Sequence, residues 1–324
     1  MTGGSGFIGG ALLRRLVADG WRVRALARSD GSAATVADRG AEAVRGDLED
    51  VGAMSAGMGG CEVVFHCAAM LGEWGDPDQF ERGNVHGTRN VLEAARAAGV
   101  KRVVHVGTEA ALLAGQPLVM VDETAPLRPD SPALYSSTKA KAEQVVIDAA
   151  DDQLQTVVIR PRLVWGPGDT TIGPVLAETV RSGRFAWIGS GRHLTSTTHV
   201  DNVVEGLILG AAKGHSGAAY FVTDGEPVEF RDFVTRLLAA YGLPAPGRSI
   251  PPSLARVVAA AGERIWRVLP LRGAPPLTRL AYWLSALEAT IDISRAREQL
   301  GYVPLRTIGE AMQQLTEINR SAAA

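Results

Sequence analysis

The chain opens with Met1-Thr2-Gly3-Gly4-Ser5-Gly6-Phe7-Ile8-Gly9, and this stretch decides the fold. Gly3, Gly6 and Gly9 recur every third residue at the start of residues 7–19, whose apolar residues have helical spacing and which Gly20 closes. Glycine lets a backbone turn tightly and approach a pyrophosphate, which the free N–H groups and dipole of a helix N-terminus then bind. The same glycines are also consistent with a plain loop that needs positive φ. The helix that follows favours a dinucleotide-binding loop.

Short apolar runs alternate with amphipathic stretches through the first half of the chain. Such alternation is typical of an α/β fold, a doubly wound (Rossmann) parallel sheet with helices on both faces. The predicted strands are residues 21–27, 42–44, 62–66, 102–106, 156–159 and 219–222. The predicted helices are residues 7–19, 84–98, 136–150, 230–241 and 253–268, with a further one near the end.

Only Met1 and Thr2 precede the first glycine, although the glycine fingerprint should follow the central strand of the sheet. A sheet that lacks this strand exposes two unpaired edges inside the protein. We therefore expect that the first strand is missing from this chain and that the native start lies several residues before Met1. Intact-mass measurement of the native protein tests this expectation.

The sequence pattern changes after Pro161: proline and glycine become frequent, and irregular stretches separate the predicted helices. We predict a cofactor-binding domain of residues 1–165 together with about 198–223. Residues 166–197 and 224–324 then form a smaller, interleaved C-terminal domain that binds substrate.

Composition excludes several classes of protein. The 324 residues carry 33 basic and 35 acidic side chains, and this balance argues against a nucleic-acid-binding protein. Two cysteines fit a reducing compartment, and the absence of a signal peptide or a long uncharged stretch predicts a cytoplasmic protein without stable membrane insertion. Histidine spacing predicts no metal site. Residues 253–268 could touch a membrane surface, but their mixed charge disfavours this alternative.

The ends of the second and third predicted strands carry candidate contacts for the adenosine half of a dinucleotide. An acid at the end of the second strand binds the ribose of NAD, whereas an arginine accommodates the extra phosphate of NADP. Arg28 occupies this position, with Asp30 nearby, so NADP is slightly favoured over NAD. Asp47 and Leu48 follow the third strand, where the carboxylate could accept from the adenine amino group.

Tyr135 and Lys139 form the pattern Y-x-x-x-K in a chain with five tyrosines and four lysines. Composition predicts this pattern only about 0.06 times by chance. On a helix the two side chains share one face, and a neighbouring ammonium lowers the pKa of a phenol. Tyr135 could then exchange a proton with an alcohol while hydride moves to or from a nicotinamide. Thr108, at the end of the preceding strand, could hold the substrate oxygen; the alternative is an ordinary surface tyrosine.

Together these motifs resemble the extended short-chain dehydrogenase/reductase superfamily, which includes NAD-dependent epimerases and dehydratases, over essentially the whole length. Besides the glycine loop and the Tyr–Lys pair, the resemblance rests on residues 66–69, 84–88, 160–168, 199–203 and 300–304. It implies that Tyr135 is the catalytic acid/base, that Lys139 lowers its pKa and binds the nicotinamide ribose, and that Thr108 assists. The implied cofactor-binding residues are Gly3, Gly6, Phe7, Ile8, Gly9, Arg28, Asp47, Leu48, Cys67, Ala68, Ala69, Tyr135, Lys139, Pro161 and Val164.

The same resemblance implies other, less central features. Asn84 is expected to anchor a helix and a water molecule, and His66, Cys67 and His199 to be structural. A homodimer through residues 84–98 and 136–150 is also consistent with the superfamily.

Residues 251–288 and 192–202 are nearest the 3β-hydroxysteroid dehydrogenase-like branch. This favours an NAD(P)-dependent oxidoreductase that acts on an apolar secondary alcohol or ketone, with Trp165, Trp187 and residues 253–268 either lining the substrate site or packing in the core. A nucleotide-sugar epimerase or dehydratase is the first alternative, but Thr195-Ser196 replaces the usual Arg-Asp pair and one acid is missing after Thr108. Glu109 could still serve as a general acid, although a hydrogen-bonded carboxylate is favoured. A non-catalytic NADP-binding redox sensor is the second alternative, which the Tyr–Lys pair disfavours.

Overall fold

A computed structural model describes residues 1–269 and 271–323. The strands are β1 (Arg24–Ala27), β2 (Glu42–Arg45), β3 (Val63–His66), β4 (Arg102–Val106), β5 (Leu118–Val121), β6 (Gln155–Pro161), β7 (Val164–Trp165), β8 (Trp187–Ile188), β9 (Leu194–Thr195), β10 (Thr198–His199), β11 (Ala218–Val222), β12 (Val228–Glu229), β13 (Ser249–Ile250) and β14 (Ala289–Ile291). The α-helices are α1 (Phe7–Ala18), α2 (Asp30–Asp38), α3 (Val51–Met58), α4 (Pro77–Phe80), α5 (Gly87–Ala97), α6 (Leu134–Asp148), α7 (Gly173–Arg181), α8 (Val200–Lys213), α9 (Phe230–Ala240), α10 (Pro252–Val268), α11 (Arg279–Ala286) and α12 (Ile308–Ala323).

The main sheet is parallel throughout. Strand β4 pairs with β3 and β6, β6 pairs with β11, and β1 pairs with β2. Met1 and Thr2 lie between the two groups: the Leu26 N–H donates to the Met1 carbonyl at 2.9 Å, and the Thr2 N–H donates to the Phe65 carbonyl at 2.9 Å. Across the sheet the order is therefore β2, β1, residues 1–2, β3, β4, β6 and β11. This order, with crossover helices between parallel neighbours, confirms the predicted doubly wound α/β fold.

Helices cover both faces of this sheet. Successive strand residues point to opposite faces, so Val103 and Val104 on β4 belong to different parts of the core. Val104 packs with residues of α1 and α8 such as Leu12 and Leu207, whereas Val103 packs with residues of α3 and α5 such as Met54. Burial on both faces explains why these strands read as continuous apolar runs.

Several elements differ from the prediction: helices α2, α3, α7, α8 and α11 were not predicted, and one predicted helix begins earlier than expected. Helix α2 buries only Val36 and is fixed by a capping box in which Ser29 and Ser32 bond each other's backbone N–H. The predicted helix 84–98 instead begins at Pro77 and passes through a π-helical turn, Glu81–His86, before α5. Such a turn inserts one extra residue, which an average helical period does not reveal.

Strand β5 lies outside the main sheet, although it falls within the predicted range 1–165. It pairs with β14, which also pairs with β9, and β12 completes this mixed sheet. Helices α7, α9 and α12 surround a separate apolar cluster that includes Phe233, Leu237 and Leu315. This mixed sheet and this apolar cluster lie outside the main sheet, and together they are called the second layer below.

Asp224, just after β11, joins the main sheet to this second layer. One carboxylate oxygen accepts hydrogen bonds from the His199 N–H at 2.5 Å and the Asn202 amide at 2.7 Å. The other accepts from the Thr197 hydroxyl at 2.7 Å and the Trp165 indole N–H at 2.9 Å. One side chain thus fixes the ends of β7, β10 and β11 and the start of α8.

Candidate active site

The glycine loop is closely packed against the protein and open at the start of α1. A Cβ atom on Gly3, whose φ is +71°, would lie 2.7 Å from the Ala68 nitrogen, and one on Gly9 would overlap the Gly3 carbonyl oxygen. Gly6 precedes α1 in an extended conformation, and no side chain caps the helix. The first N–H groups of α1, including those of Phe7 and Ile8, therefore have no side-chain partner. This arrangement fits the pyrophosphate of a dinucleotide.

The turn after β3 lies beside this loop. The Thr2 hydroxyl accepts a hydrogen bond from the Ala68 N–H at 3.2 Å, and Ala69 follows on the same turn. Burial raises the pKa of the Cys67 thiol to about 12, so Cys67 is a neutral packing residue at neutral pH. Residues 67–69, which the resemblance assigns to a wall of the cofactor site, are therefore held beside the glycine loop.

Asn84 connects this turn to the helix that carries the Tyr–Lys pair. Its carbonyl oxygen accepts from the Met70 N–H at 2.7 Å, and its amide donates to the Thr138 hydroxyl at 3.0 Å. Asn84 lies in the π-helical turn and is buried. It fixes α6 relative to the predicted cofactor wall.

The predicted adenosine contacts lie at the ends of β1 and β2. Arg28 is solvent-exposed, and Asp30 forms an exposed ion pair with Arg45 at 3.1 Å. The Asp47 carboxylate accepts from the Glu49 N–H at 2.7 Å, while the Leu48 carbonyl accepts from the Asn90 amide at 2.7 Å. The latter two contacts order the segment that would face an adenine ring.

Arg39 is a loop contact that the sequence reasoning missed. Its guanidinium reaches back from the end of α2 and donates to the Gly4 carbonyl at 2.6 Å and the Gly6 carbonyl at 3.3 Å. A Cβ on Gly10 would overlap this guanidinium, which explains why a further glycine follows Gly9. A positive charge therefore lies directly beside the predicted phosphate site.

Tyr135 and Thr108 come together next to this region. Thr108 ends the strand segment after β4 and accepts from the Ala110 N–H, while its hydroxyl donates to Glu109 at 2.9 Å. Burial raises the pKa of Tyr135 above its ordinary value, the Glu109 carboxylate raises it further, and hydrogen bonding to Thr108 opposes this shift. The phenol is therefore protonated at neutral pH and able to donate a proton.

Lys139 is buried one turn after Tyr135, but its ammonium turns away from the phenol. It donates to the Val106 carbonyl at 2.7 Å and lies 3.3 Å from His105 Nε2. Burial lowers the pKa of Lys139 to about 8, partly offset by the Glu143 carboxylate. Burial is the largest cause of the pKa shift of both groups, and the groups that shift the pKa of Tyr135 after burial are Glu109 and Thr108. That Lys139 lowers the pKa of Tyr135 stays a prediction.

Two histidines stand behind Lys139. The rings of His66 and His105 are 5.0 Å apart, and burial lowers the pKa of His66 to about 3 and that of His105 well below its ordinary value. His66 bonds to the hydroxyls of Thr2 and Thr88 at 2.7 and 3.0 Å, which is a structural role. His105 was not singled out from the sequence because its meeting with Lys139 depends on the packing of α6 on β4.

Lys139→Met is expected to stabilise the cofactor-free protein by roughly 1–3 kcal/mol at pH 7, because a buried ammonium is removed. In the unfolded chain Lys139 returns to its ordinary pKa of 10.5, above its folded value of about 8, so its cost is full below pH 8 and fades as pH rises to 10.5. Denaturant unfolding at pH 7 and pH 10 measures both differences. Lys141→Met, on an exposed turn of the same helix, is the control. A Lys139→Met protein that is less stable than the wild type at pH 7 would contradict the assignment of Lys139 as a buried ammonium that destabilises the folded protein.

A buried ion pair lies behind Thr108. Arg162 donates to Glu109 at 2.6 Å and also to the Thr195 hydroxyl, and both charged side chains are almost fully buried. Pro161 ends β6 and Val164 begins β7, so Arg162 fixes the predicted nicotinamide segment between them. Glu109 is thus engaged in a structural pair and is the hydrogen-bonded carboxylate that the sequence favoured.

Trp165 and Trp187 belong to the core of the second layer. Both are fully buried and pack edge-on against Phe233 and Phe230 respectively. The Trp187 indole N–H donates to the Pro246 carbonyl at 2.6 Å. Of the two interpretations left open by the sequence, the structure shows core packing for these residues.

Comparisons with known proteins show what the chain is similar to. The model of the 3-beta hydroxysteroid dehydrogenase/isomerase family matches residues 1–252. The chain is 47% identical over 302 residues to the 4-hydroxy-2-methyl-3-oxo-4-farnesyl-3,4-dihydroquinoline-1-oxide ketoreductase of Stigmatella aurantiaca, covering 93% of this chain and 90% of that protein. It is 41% identical over 325 residues to the 2-alkyl-3-oxoalkanoate reductase of Stenotrophomonas maltophilia, covering 97% of each. The crystal structure of gox2253 matches with a TM-score of 0.81 and 29% identity, covering 99% of this chain and 97% of that one.

Proposed function

The chain belongs to the 3-beta hydroxysteroid dehydrogenase/isomerase family, and from this premise we propose that it reduces an apolar ketone to a secondary alcohol with NADPH. As a member of the family it is an NAD(P)-dependent oxidoreductase of the extended short-chain type. The observation that carries this proposal is the meeting of Tyr135 with Thr108, which supplies a proton donor and a second hydroxyl for one substrate oxygen. The direction is supported by the two similar proteins, which are named as a ketoreductase and a reductase.

The protein side of the reaction follows from three residues. NADPH, held at its phosphates by the glycine loop, would supply a hydride to the carbonyl carbon. Tyr135 donates its proton to the carbonyl oxygen as negative charge develops there, and the Thr108 hydroxyl hydrogen-bonds the same oxygen. Lys139 would bind the nicotinamide ribose through an ammonium N–H that the Val106 carbonyl does not use.

The substrate class rests on the relatives and on the polarity of the second layer. One relative is named for a farnesylated ketone and the other for an alkylated oxoalkanoate, so both names describe ketones with apolar tails. Thr195 and Ser196, which replace the Arg-Asp pair of sugar-nucleotide enzymes, are buried and bonded internally to Arg162 and the Ile291 N–H. They offer no free charge to a nucleotide diphosphate, which disfavours the epimerase or dehydratase alternative.

The experiment that tests this proposal measures nicotinamide absorbance with a panel of substrates. The purified protein is incubated with NADPH and, separately, a 2-alkyl-3-oxoacid, a 3-ketosteroid, a prenylated quinolone ketone and a nucleotide sugar. We expect net oxidation of NADPH with one or more apolar ketones. Conversion of the nucleotide sugar without net absorbance change would instead establish an epimerase or dehydratase, and cofactor binding without any turnover would favour a redox sensor.

The cofactor preference depends on Arg28. Arg28→Ala is expected to weaken NADPH binding about 10- to 100-fold and NADH binding little, because a charge-assisted hydrogen bond to the 2′-phosphate is worth roughly 1.5–3 kcal/mol. Fluorescence titration with each cofactor measures both affinities. Arg22→Ala, an equally exposed arginine just before β1, is the control. Equal losses for both cofactors would remove Arg28 from phosphate recognition.

We further propose that the protein forms a homodimer through α5 and α6, as the family resemblance suggests. Arg89 and Glu93 lie on the exposed side of α5 and would be buried in such a contact. Sedimentation equilibrium distinguishes a dimer from a monomer, and substitution of these two residues by alanine tests the surface.

A further inference from the structure

Arg39 is a charged residue whose hydrogen bonds all go to the glycine loop. It follows α2 directly, is partly buried, and donates from Nη1 to the Gly4 carbonyl at 2.6 Å and to the Gly6 carbonyl at 3.3 Å. Within the described residues it makes no other hydrogen bond and no ion pair. Burial, and after it the nearby Arg14 guanidinium, lower the pKa of Arg39 below its ordinary value. The folded chain therefore holds this charge beside the loop at a cost that a fully solvated arginine would avoid.

Gly10 leaves the space that this guanidinium occupies. It is buried within α1, where alanine is more favourable than glycine, and its φ is not positive. A Cβ atom at this position would overlap Nη1 of Arg39 and lie 2.7 Å from its Cζ. The position therefore requires glycine because of Arg39, and not because of its own backbone conformation.

The two carbonyls that Arg39 contacts belong to peptides whose N–H groups follow next in the loop. The Gly4 carbonyl shares a planar trans peptide with the Ser5 N–H. The Gly6 carbonyl shares another with the Phe7 N–H. In a trans peptide the C=O and N–H bonds point in opposite directions. Arg39 therefore fixes the Ser5 and Phe7 N–H groups on the side of the loop that faces away from its own guanidinium.

These two N–H groups are available to a ligand. Among residues 1–269 and 271–323 neither has a hydrogen-bond acceptor, whereas the Gly6 N–H between them donates to the Gly3 carbonyl at 3.0 Å. Ser5 and Gly6 are both exposed to solvent. Free N–H groups at the start of a helix are donors to phosphate. The loop thus presents donors on its open side, while an arginine holds its carbonyls on the other.

We propose that Arg39 is a positioning residue for dinucleotide binding, which holds two loop carbonyls so that the N–H groups of Ser5 and Phe7 face the pyrophosphate. A cation on the carbonyl side also polarises each peptide, which strengthens the hydrogen bond that its N–H donates. Because NADPH and NADH have the same pyrophosphate, the effect is expected for both cofactors, in contrast to that of Arg28. The proposal rests on the dinucleotide site of the proposed function and not on its ketone substrate.

Fluorescence titration of the full chain with NADPH and with NADH tests this role. Arg39→Ala is expected to weaken the binding of both cofactors roughly tenfold, because a hydrogen bond from a charged donor no longer fixes the loop. The matched control is Arg14→Ala, which removes a neighbouring exposed charge that does not bond to the loop. It is expected to change either affinity less than about twofold, since salt screens exposed charges. Loss of affinity for NADPH alone in Arg39→Ala would overturn the proposal and make Arg39 a contact of the 2′-phosphate.

Gly10→Ala keeps the charge of Arg39 and removes its contact with the loop. The added Cβ displaces only the far end of a flexible side chain, and alanine favours a helix. The free energy of unfolding without cofactor is therefore expected to stay at or above the wild-type value in a denaturant titration. The affinities for NADPH and NADH are expected to fall about as far as in Arg39→Ala. Loss of affinity without loss of stability distinguishes a positioning role from a structural one.

The double variant tests whether the two substitutions act through the same contact. In the Arg39→Ala background, Gly10→Ala is expected to have no further effect on either affinity, because the space that the Cβ enters is empty. Losses that add in the double variant would overturn the proposal, as would wild-type affinities in Gly10→Ala. If Arg39→Ala does not fold, Gly10→Ala decides alone, since it leaves the arginine in place.

The positioning role and the proposed reaction fail separately. The affinities are measured without a ketone, so a chain that binds NADPH but reduces no ketone would reject only the reaction. Ketone reduction together with unchanged cofactor affinity in Gly10→Ala would reject only the role of Arg39. A wild-type chain that binds neither cofactor would reject both.

Discussion

Tyr135→Phe is expected to lower kcat for ketone reduction about 10²- to 10⁴-fold, the usual contribution of a positioned general acid. The substitution removes the protonated hydroxyl and keeps the ring, so the packing around α6 is preserved. NADPH affinity is expected to change little, because the phosphate contacts lie at the glycine loop. Steady-state kinetics and fluorescence titration measure the two quantities on the same preparation.

The control for this variant is Tyr241→Phe, a tyrosine at the end of α9 outside the site. It is expected to retain wild-type kcat. A Tyr135→Phe enzyme with more than a tenth of wild-type turnover would show that another group donates the proton. Thr108→Val separates positioning from proton donation, since we expect a smaller loss of kcat than for Tyr135→Phe.

Arg162→Met is expected to lower the free energy of unfolding by about 3–5 kcal/mol, because it leaves the Glu109 carboxylate buried without its partner. The two side chains are 1% and 3% exposed, so water cannot replace the lost contact. Denaturant titration followed by tryptophan fluorescence measures the loss. Activity at a temperature where the variant is folded is expected to fall as well, because Arg162 holds the segment between Pro161 and Val164.

The double variant Arg162→Met with Glu109→Gln tests whether the unpaired Glu109 carboxylate causes the loss of stability. Glutamine keeps an acceptor for Thr108 but carries no charge, so we expect it to restore at least half of the lost stability. Arg236→Met, which breaks an exposed pair with Asp232, is the control and is expected to cost less than about 1 kcal/mol. A double variant as unstable as Arg162→Met alone would indicate that lost packing, and not the unpaired charge, is responsible.

The sequence predicts best those features that depend on residues close together in the chain. The glycine loop lies in one loop, and Tyr135 and Lys139 lie one turn apart on α6, so residue spacing alone places each set on one element, although it does not give the direction of the Lys139 ammonium. The parallel sheet could also be predicted, since its strands are buried on both faces and appear as apolar runs.

The features that escaped prediction depend on contacts between distant segments. Glu109 and Arg162 meet because β4 and β6 are neighbours in the sheet, which their spacing in the chain does not reveal. Arg39 reaches the glycine loop from α2, a helix whose weak apolar pattern concealed it. The direction of the Lys139 ammonium and the raised pKa of Tyr135 follow from burial, which only the packed structure defines.

Asp224 restricts how this enzyme can be recombined with its relatives. All four of its hydrogen-bond donors precede it in the chain, whereas one of them, Asn202, also donates to the Arg306 carbonyl at 2.9 Å. A chimera that exchanges the C-terminal segment for that of a relative therefore needs its crossover after Asp224 and a compatible backbone at Arg306. Crossovers chosen on this basis would keep the hydrogen bonds of Asp224 while the segment that follows it is replaced.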